Sequence, residues 1–455
     1  MDTERTDRAP DQGLHSATAG AGGFRATASQ LDSATGGGGA DVGFGRLVLY
    51  AVIDLGETLD GDALEAAVAG VVRRFPVLGC RYVHGFWRDR WVAAPELAAG
   101  DAIEVRSDVD DLEAGTLEVV ARELEPADHW PWRVTQLVGA DRSRLVITLL
   151  HQAGDGASLL AVTKELGLLL MRPDEERPPA PPERGLDLLA RGKGLADLFR
   201  LLPALTREAF QPLAVPFIAR TAPPYRHPVA GAAPTFVVRE VTAEVGPGSA
   251  LRDLCRELGC TVNDALVAAV AVLIGQISER GRIGAFFTAN LRRYLDDDRP
   301  RVANLSSFDL VILARHRVNS LAEAMLEVSR RIRRKKRRIP GLVLVLGSAV
   351  LGAPIPFGLA RALGRLLSSG MRHLATRGVM VTNIGPMDHA LAPFGERVTA
   401  ASVIGPFLHG HQIPIITATS FRGRLSLAVN GFDDTPEERW QQIVSVLSRA
   451  LTGLD

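Results

Sequence analysis

Cysteine is scarce, three residues in 455, and Cys80, Cys255 and Cys260 show no metal-ligand spacing and no pattern of pairs. A disulfide-stapled scaffold is thereby excluded, and the chain suits a reducing cytoplasm. Charge of one sign is also missing: 52 Lys and Arg stand against 52 Asp and Glu. With no overall field to draw in nucleic acid, a charged partner must be held by a local patch. No uninterrupted apolar run of spanning length occurs. Ile339 to Ala360 is uncharged, but Pro340, Pro354 and Pro356 break it, and a transmembrane helix needs about 20 apolar residues in sequence. The first residues, Met1-Asp-Thr-Glu-Arg5, are charged and lack the apolar core of a secretory signal.

Apolar residues make up 46% of the chain, enough for a globular protein, and the length suits two domains of roughly 200 residues each. Residues 1–40 are rich in Gly, Ala, Ser and Thr and include Gly36-Gly-Gly-Gly39, so they are expected to be a flexible N-terminus. A first α/β unit is expected over 41–171 and a second over 235–455. Between them, 172–234 reads as a linker, because Arg172 to Arg184 is crowded with proline, which fixes φ and removes backbone donors. Amphipathic runs from Leu195 to Ala219 follow.

One stretch stands out for chemistry. The alternating apolar run Arg144 to Leu150 reads as a buried strand, and Ala157 to Leu170 reads as a helix. Between them lies His151-Gln152-Ala153-Gly154-Asp155-Gly156. A lone histidine on a loop aimed by a rigid strand is a reactive-site candidate. The plain alternative is that Asp155 caps the helix N-terminus and Gly156 serves only the backbone.

Several strings resemble one superfamily. Leu150-His-Gln-Ala-Gly-Asp-Gly156 is similar to the His-His-x-x-x-Asp-Gly signature of condensation domains, wax ester synthases and polyketide-associated acyltransferases, with Leu150 in place of the first histidine. Leu64 to Leu78, a helical stripe ending at Phe75-Pro76, resembles their first helix. Thr261-Val-Asn-Asp264 opens an all-round apolar helix similar to an equivalent one, with a capping-box-like start. Asn290-Leu-Arg292 and Thr382-Asn-Ile-Gly-Pro386 resemble two further family segments. The peptide-synthetase segment Asp-Phe-Gly-Trp-Gly has no counterpart, and Asn430-Gly-Phe-Asp-Asp434 stands roughly at its place, which favours a freestanding enzyme.

The resemblance implies a chloramphenicol-acetyltransferase-like architecture: two α/β subdomains forming a V-shaped pseudo-dimer with a central tunnel. It implies an acyltransferase that moves an acyl group from a thioester, on coenzyme A or a carrier protein, to an alcohol or amine. His151 would be the general base, Asp155 and Gly156 would hold the loop, and Arg292 would pair with Asp155. Gly154 and Asn383 would meet the substrate. No metal and no resident cofactor are expected, and the chain is expected to act as a monomer. Two other readings stand beside this one: a non-catalytic module that binds carrier proteins or lipids, and a membrane-associated wax ester or triacylglycerol synthase. The run Arg330 to Arg338, eight basic residues in nine, reads as a solvated helix face, or else as a surface for acidic lipid headgroups, for the phosphates of coenzyme A or for an acidic carrier protein, and it is where membrane contact would occur. Neutral overall charge and no aromatic interleaving argue against nucleic acid.

Overall fold

The computed structural model describes residues 24–25, 47–87, 89–122, 124, 127–173, 175, 177–181, 236–277, 282–295, 297–336, 356, 379–407, 415–432 and 437–452. The first half runs β1 (Phe24–Arg25), β2 (Val48–Leu55), α1 (Gly61–Arg74), β3 (Cys80–Val83), β4 (Arg90–Ala93), β5 (Ile103–Arg106), α2 (Leu112–Ala121), β6 (Trp132–Val138), β7 (Ser143–Leu150) and α3 (Gly156–Met171). The second half runs β8 (Phe236–Glu244), α4 (Ala250–Glu257), α5 (Val262–Ile277), β9 (Arg282–Asn290), β10 (Ser306–Ala314), α6 (Leu321–Lys336), β11 (Val379–Pro386), α7 (Asp388–Leu391), β12 (Val398–Ile404), β13 (Ile415–Phe421), β14 (Arg424–Phe432) and α8 (Glu437–Thr452).

The first lobe is a five-stranded sheet ordered β12-β2-β7-β6-β5. Every residue of β7 is buried, as expected of a strand with neighbours on both sides and cover on both faces. Helix α1 begins at Asp60, whose carboxylate accepts from the Ala63 amide at 2.9 Å, and it buries Leu64, Ala67, Val68, Val71 and Val72. It packs on α3 so closely that a Cβ at Gly70 would lie 2.8 Å from the Leu169 side chain. The second lobe is a six-stranded sheet ordered β10-β9-β11-β13-β14-β8. Helix α5 is its core: Ala265 through Ile274 are all buried. Its start is reciprocally capped, Thr261 N–H to Asp264 at 2.9 Å and Asp264 N–H to the Thr261 hydroxyl at 3.2 Å.

Strand β12 departs from the expected division of the chain. It lies within 235–455 but pairs antiparallel with β2, Ile404 opposite Tyr50, and so completes the first sheet. It also packs against β13 and β14, so one strand belongs to the first lobe by hydrogen bonding and touches the second by packing. Just past it, the Gly405 carbonyl accepts from the Asn430 amide at 2.7 Å. The N-terminus departs as well: within the stretch expected to be flexible, Phe24–Arg25 pairs with β4. The linker beyond Pro181 and the apolar stretch after Ile339, apart from Pro356, lie outside the described residues.

A cavity of about 680 Å³ opens between the lobes along β2, β8, β12 and β14. At its wall the buried Arg144 guanidinium binds Asp54 at 2.5 Å and Glu113 at 2.8 Å. No single described helix is long and apolar enough to cross a membrane. The basic run ending α6 is not an open cationic face along its described length. Arg330 and Arg331 both hold Glu327, and Lys335 holds Asp309.

Candidate active site

The β2–β7 ladder continues one residue beyond Leu150, where the His151 amide donates to the Leu47 carbonyl at 2.9 Å. The chain then turns. The amides of Ala153 and Gly154 both donate to the Leu150 carbonyl, at 2.9 and 3.2 Å, and Asp155 becomes the N-cap of α3. His151 is thus fixed at its backbone by a central strand and lies one turn before a helix N-terminus. The residue as a whole is half-buried. Nδ1 is enclosed and has no hydrogen-bond partner. Burial pushes the imidazole below its ordinary pKa, partly countered by the nearby Asp155 carboxylate and by the residue's own backbone carbonyl.

Asp155 is 3% exposed and does two things at once. One carboxylate oxygen accepts from the Ser158 amide and hydroxyl, each at 3.0 Å. The other accepts from the Arg292 guanidinium at 2.6 Å and from the Leu305 amide at 2.9 Å. Burial alone would raise this carboxyl. The Arg292 charge and these hydrogen bonds outweigh it and hold Asp155 below the ordinary carboxylate range. The helix-cap reading and the arginine-pair reading of Asp155 are therefore both true of the geometry.

Arg292 lies in a one-turn helix after β9, Leu291–Tyr294, which the Asn290 side chain caps by accepting the Arg292 amide at 3.0 Å. The string Asn-Leu-Arg is thus a cap followed by the residue it presents. The guanidinium also donates to Ser158 Oγ at 2.9 Å and to the Ala303 carbonyl at 3.0 Å. Ser158 Oγ donates to the Ala303 carbonyl at 2.8 Å and receives the Ala303 amide at 3.1 Å. Asp155 and Ser158 come from the first lobe, Arg292, Ala303 and Leu305 from the second. The network ties the lobes together behind the histidine.

The glycines and Asn383 fall differently from expectation. Gly156 heads α3, where first-turn amides have no intrahelical acceptor. A Cβ there would lie 2.4 Å from Ile384 of β11. The Gly154 amide, expected to face substrate, is instead spent on the Leu150 carbonyl, and its lack of a side chain is steric: a Cβ would lie 2.6 Å from Ser158 Cβ. Asn383 accepts from the Gly385 amide at 3.1 Å and reaches Asn263 at 3.4 Å. It finishes the end of β11 against α5. Leu150 is buried among Val48, Tyr50, Ile404, Phe407 and Ala428, so the position matching the first motif histidine is a packing site here. His151 is not among the residues lining the inter-lobe cavity. Sequence reasoning did not single out Ser158 or the Leu305 amide. The serine three residues after Asp155, in cap-box position, was the only available signal.

Comparison with known proteins places this geometry in context. No protein-family model matches the sequence, and neither does any curated protein. Solved structures do match. The EpoB NRPS cyclization-docking bidomain from Sorangium cellulosum is 18% identical, over 94% of this chain and 85% of that one, with a TM-score of 0.65. Polyketide synthase associated protein 5 from Mycobacterium tuberculosis is 15% identical, over 95% and 100%, with a TM-score of 0.64. A trichothecene 15-O-acetyltransferase from Fusarium sporotrichioides is 13% identical, over 95% of both chains, with a TM-score of 0.70. The chain has the fold of the condensation domains and their chloramphenicol-acetyltransferase-like relatives, over nearly its whole length.

Proposed function

We propose that the protein transfers an acyl group from a thioester to an alcohol or amine, with His151 as the general base. The observation that carries this reading is the histidine itself. It is a half-buried histidine at the end of a central strand, its pKa lowered by burial, beside a carboxylate wholly committed to Arg292, Ser158 and Leu305. A neutral imidazole can accept a proton. With Nδ1 enclosed, Nε2 is the nitrogen left to meet a substrate.

In the reaction, Nε2 takes the proton as the acceptor's oxygen or nitrogen attacks the thioester carbonyl. A carbon–oxygen or carbon–nitrogen bond forms, and negative charge gathers on the carbonyl oxygen. The Gly156 amide at the head of α3, which has no intrahelical acceptor, would meet that charge. Collapse of the intermediate breaks the carbon–sulfur bond, and the imidazolium returns its proton to the departing thiolate. Asp155 moves no proton: it fixes the loop and the lobe contact.

The similar structures include NRPS and polyketide-synthase-associated proteins and an O-acetyltransferase. Their names support a thioester donor, carrier-borne or on coenzyme A, and secondary metabolism as the setting. The test is turnover of an acyl-CoA panel with mixed alcohol and amine acceptors. His151→Ala is expected to lower transfer by about 10²–10⁴-fold with an unchanged circular dichroism spectrum. Equal rates for the two proteins would overturn the reading and leave a carrier-binding module.

A further inference from the structure

The β3–β4 hairpin has two faces of opposite character. Its register sets Tyr82 opposite Trp91 on one face, and Arg81 and Val83 opposite Val92 and Arg90 on the other. Tyr82 and Trp91 are buried in the core of the first lobe, their rings edge to face with centroids 4.8 Å apart. Val83, Arg90 and Val92 are exposed. At the tip, Phe86 is 62% and Trp87 68% exposed, and the two rings meet almost at right angles, 5.5 Å apart. Four of the eight large apolar side chains that stand exposed among the described residues are therefore on this one hairpin. A lone exposed apolar residue needs no explanation, but a group gathered on one turn marks a contact surface.

The turn is held so that these rings face outward. Asp89 is wholly buried. One of its carboxylate oxygens accepts from the Tyr82 hydroxyl at 2.9 Å and lies 3.3 Å from His84 Nδ1. The other accepts from the Gly85 amide at 2.9 Å. The far end of the turn is thus tied to its near end from inside, and folding the tip back onto Tyr82 would break these bonds. A buried carboxylate is costly unless it is hydrogen-bonded, and here its bonds fix the place of two rings in water. Rings fixed in advance lose little freedom on meeting a partner.

Charge and size say which partner. Asp89 is spent inside the turn, and Glu96 is paired with Arg81 at 2.6 Å. Arg90 stands exposed opposite Val83 with no acid bound among the described residues, and the sequence adds Arg88 beside Trp87. The hairpin therefore favours an anionic surface. A standard protein interface takes about 800 Å² from each partner, whereas two rings and two valines offer roughly 300–400 Å². Shallow entry into a bilayer needs no more than that, because aromatic rings settle at headgroup depth and arginines beside them meet anionic headgroups.

We propose that the β3–β4 tip is a membrane-contact site, with Phe86 and Trp87 entering the headgroup layer of an anionic lipid surface and Arg90 meeting the headgroups. The inference is independent of the acyl-transfer reading. It also puts lipid contact elsewhere than the basic end of α6, where Arg330 and Arg331 are engaged by Glu327.

The test uses the protein's own fluorescence. Of its five tryptophans, Trp91, Trp130, Trp132 and Trp440 are buried, so quenchers in water or in lipid read Trp87. Full-length protein is mixed with phosphatidylcholine–phosphatidylglycerol vesicles and with vesicles of phosphatidylcholine alone. On the anionic vesicles, emission should shift to the blue, resist acrylamide and be quenched by lipids brominated close to the headgroup. Phe86→Ser/Trp87→Ser should weaken sedimentation with these vesicles at least tenfold at an unchanged melting temperature. Arg90→Glu should weaken it severalfold on anionic vesicles and not on neutral ones. The proposal fails if the wild type ignores both kinds of vesicle, or if Trp87 stays open to acrylamide while the protein sediments with them. It fails too if Arg333→Glu/Arg334→Glu releases the vesicles and the serine variant does not, for the contact then belongs to α6. Self-association in gel filtration that the serine variant abolishes, without vesicle binding, would make the tip a contact between copies of the chain and overturn the lipid assignment.

Discussion

At the scale of single residues, His151 and Asp155 are set apart by what surrounds them. The His151 imidazole has a pKa below its ordinary value, about 6.5. If it is the base, kcat/KM should be level from neutral pH upward and fall on acidification, with its midpoint below that value. A midpoint above 7 would speak against a desolvated histidine. The same shift carries a stability consequence. The unfolded histidine binds a proton before the folded one does, so stability is lost as pH falls from about 6.5 toward the folded pKa. Asp155 is also depressed, by Arg292 and its hydrogen bonds against the opposing effect of burial. Its contribution is complete above the unfolded carboxylate value of about 3.9 and is lost as pH falls through the lower folded value. Asp155→Ala leaves the Arg292 guanidinium without its counter-ion and the Leu305 amide without its acceptor in a closed interface. A loss of about 3–5 kcal/mol in urea unfolding is expected, and a change under 1 kcal/mol would show that the network carries little. The identities of these residues were legible because the histidine, the aspartate and the Asn-Leu-Arg string are local patterns. Ser158 and the Leu305 amide were not, since their roles arise from packing 134 to 150 residues apart in sequence.

At the scale of elements, most strands and helices follow from periodicity. Helix α5 begins just after Thr261, where the capping pattern predicts it. The misses are instructive. Strand β5, Ile103–Arg106, has only four residues and little alternation to read. For strand β12, partner choice is a tertiary matter that no local pattern encodes. Nor could Gly405 be read from sequence as a contact point, yet a Cβ there would lie 2.2 Å from Thr417 Oγ1, on a short branched side chain with little freedom to move. The Cβ clash at Gly156 is with the outer end of Ile384, which can rotate. Gly405→Ala should therefore lower the melting temperature more than Gly156→Ala, with the overpacking cost near 1–3 kcal/mol. Equal shifts, or the reverse order, would show that the β12–β13 contact yields more readily than its geometry indicates.

At the scale of the whole molecule, the two lobes are joined by strand β12, which pairs in the first sheet and packs on the second, by the Asp155–Arg292 ion pair and by a mixed apolar cluster that joins Tyr50 and Leu150 to Ala428. Lobes so connected should not melt separately. Calorimetry is expected to give one transition that coincides with loss of both near- and far-ultraviolet dichroism. Two resolved transitions would mean that the shared strand detaches first. The fold was legible from the motif resemblance. How the units interlock was not legible, because it depends on a strand that crosses from one to the other.

That crossing has a consequence for how the protein is made. Until Ile404 has left the ribosome, β2 has no partner on its outer side, and an unpaired edge invites pairing with other chains. A nascent first half is thus committed to waiting, its sheet one strand short, for a piece encoded far downstream of β2.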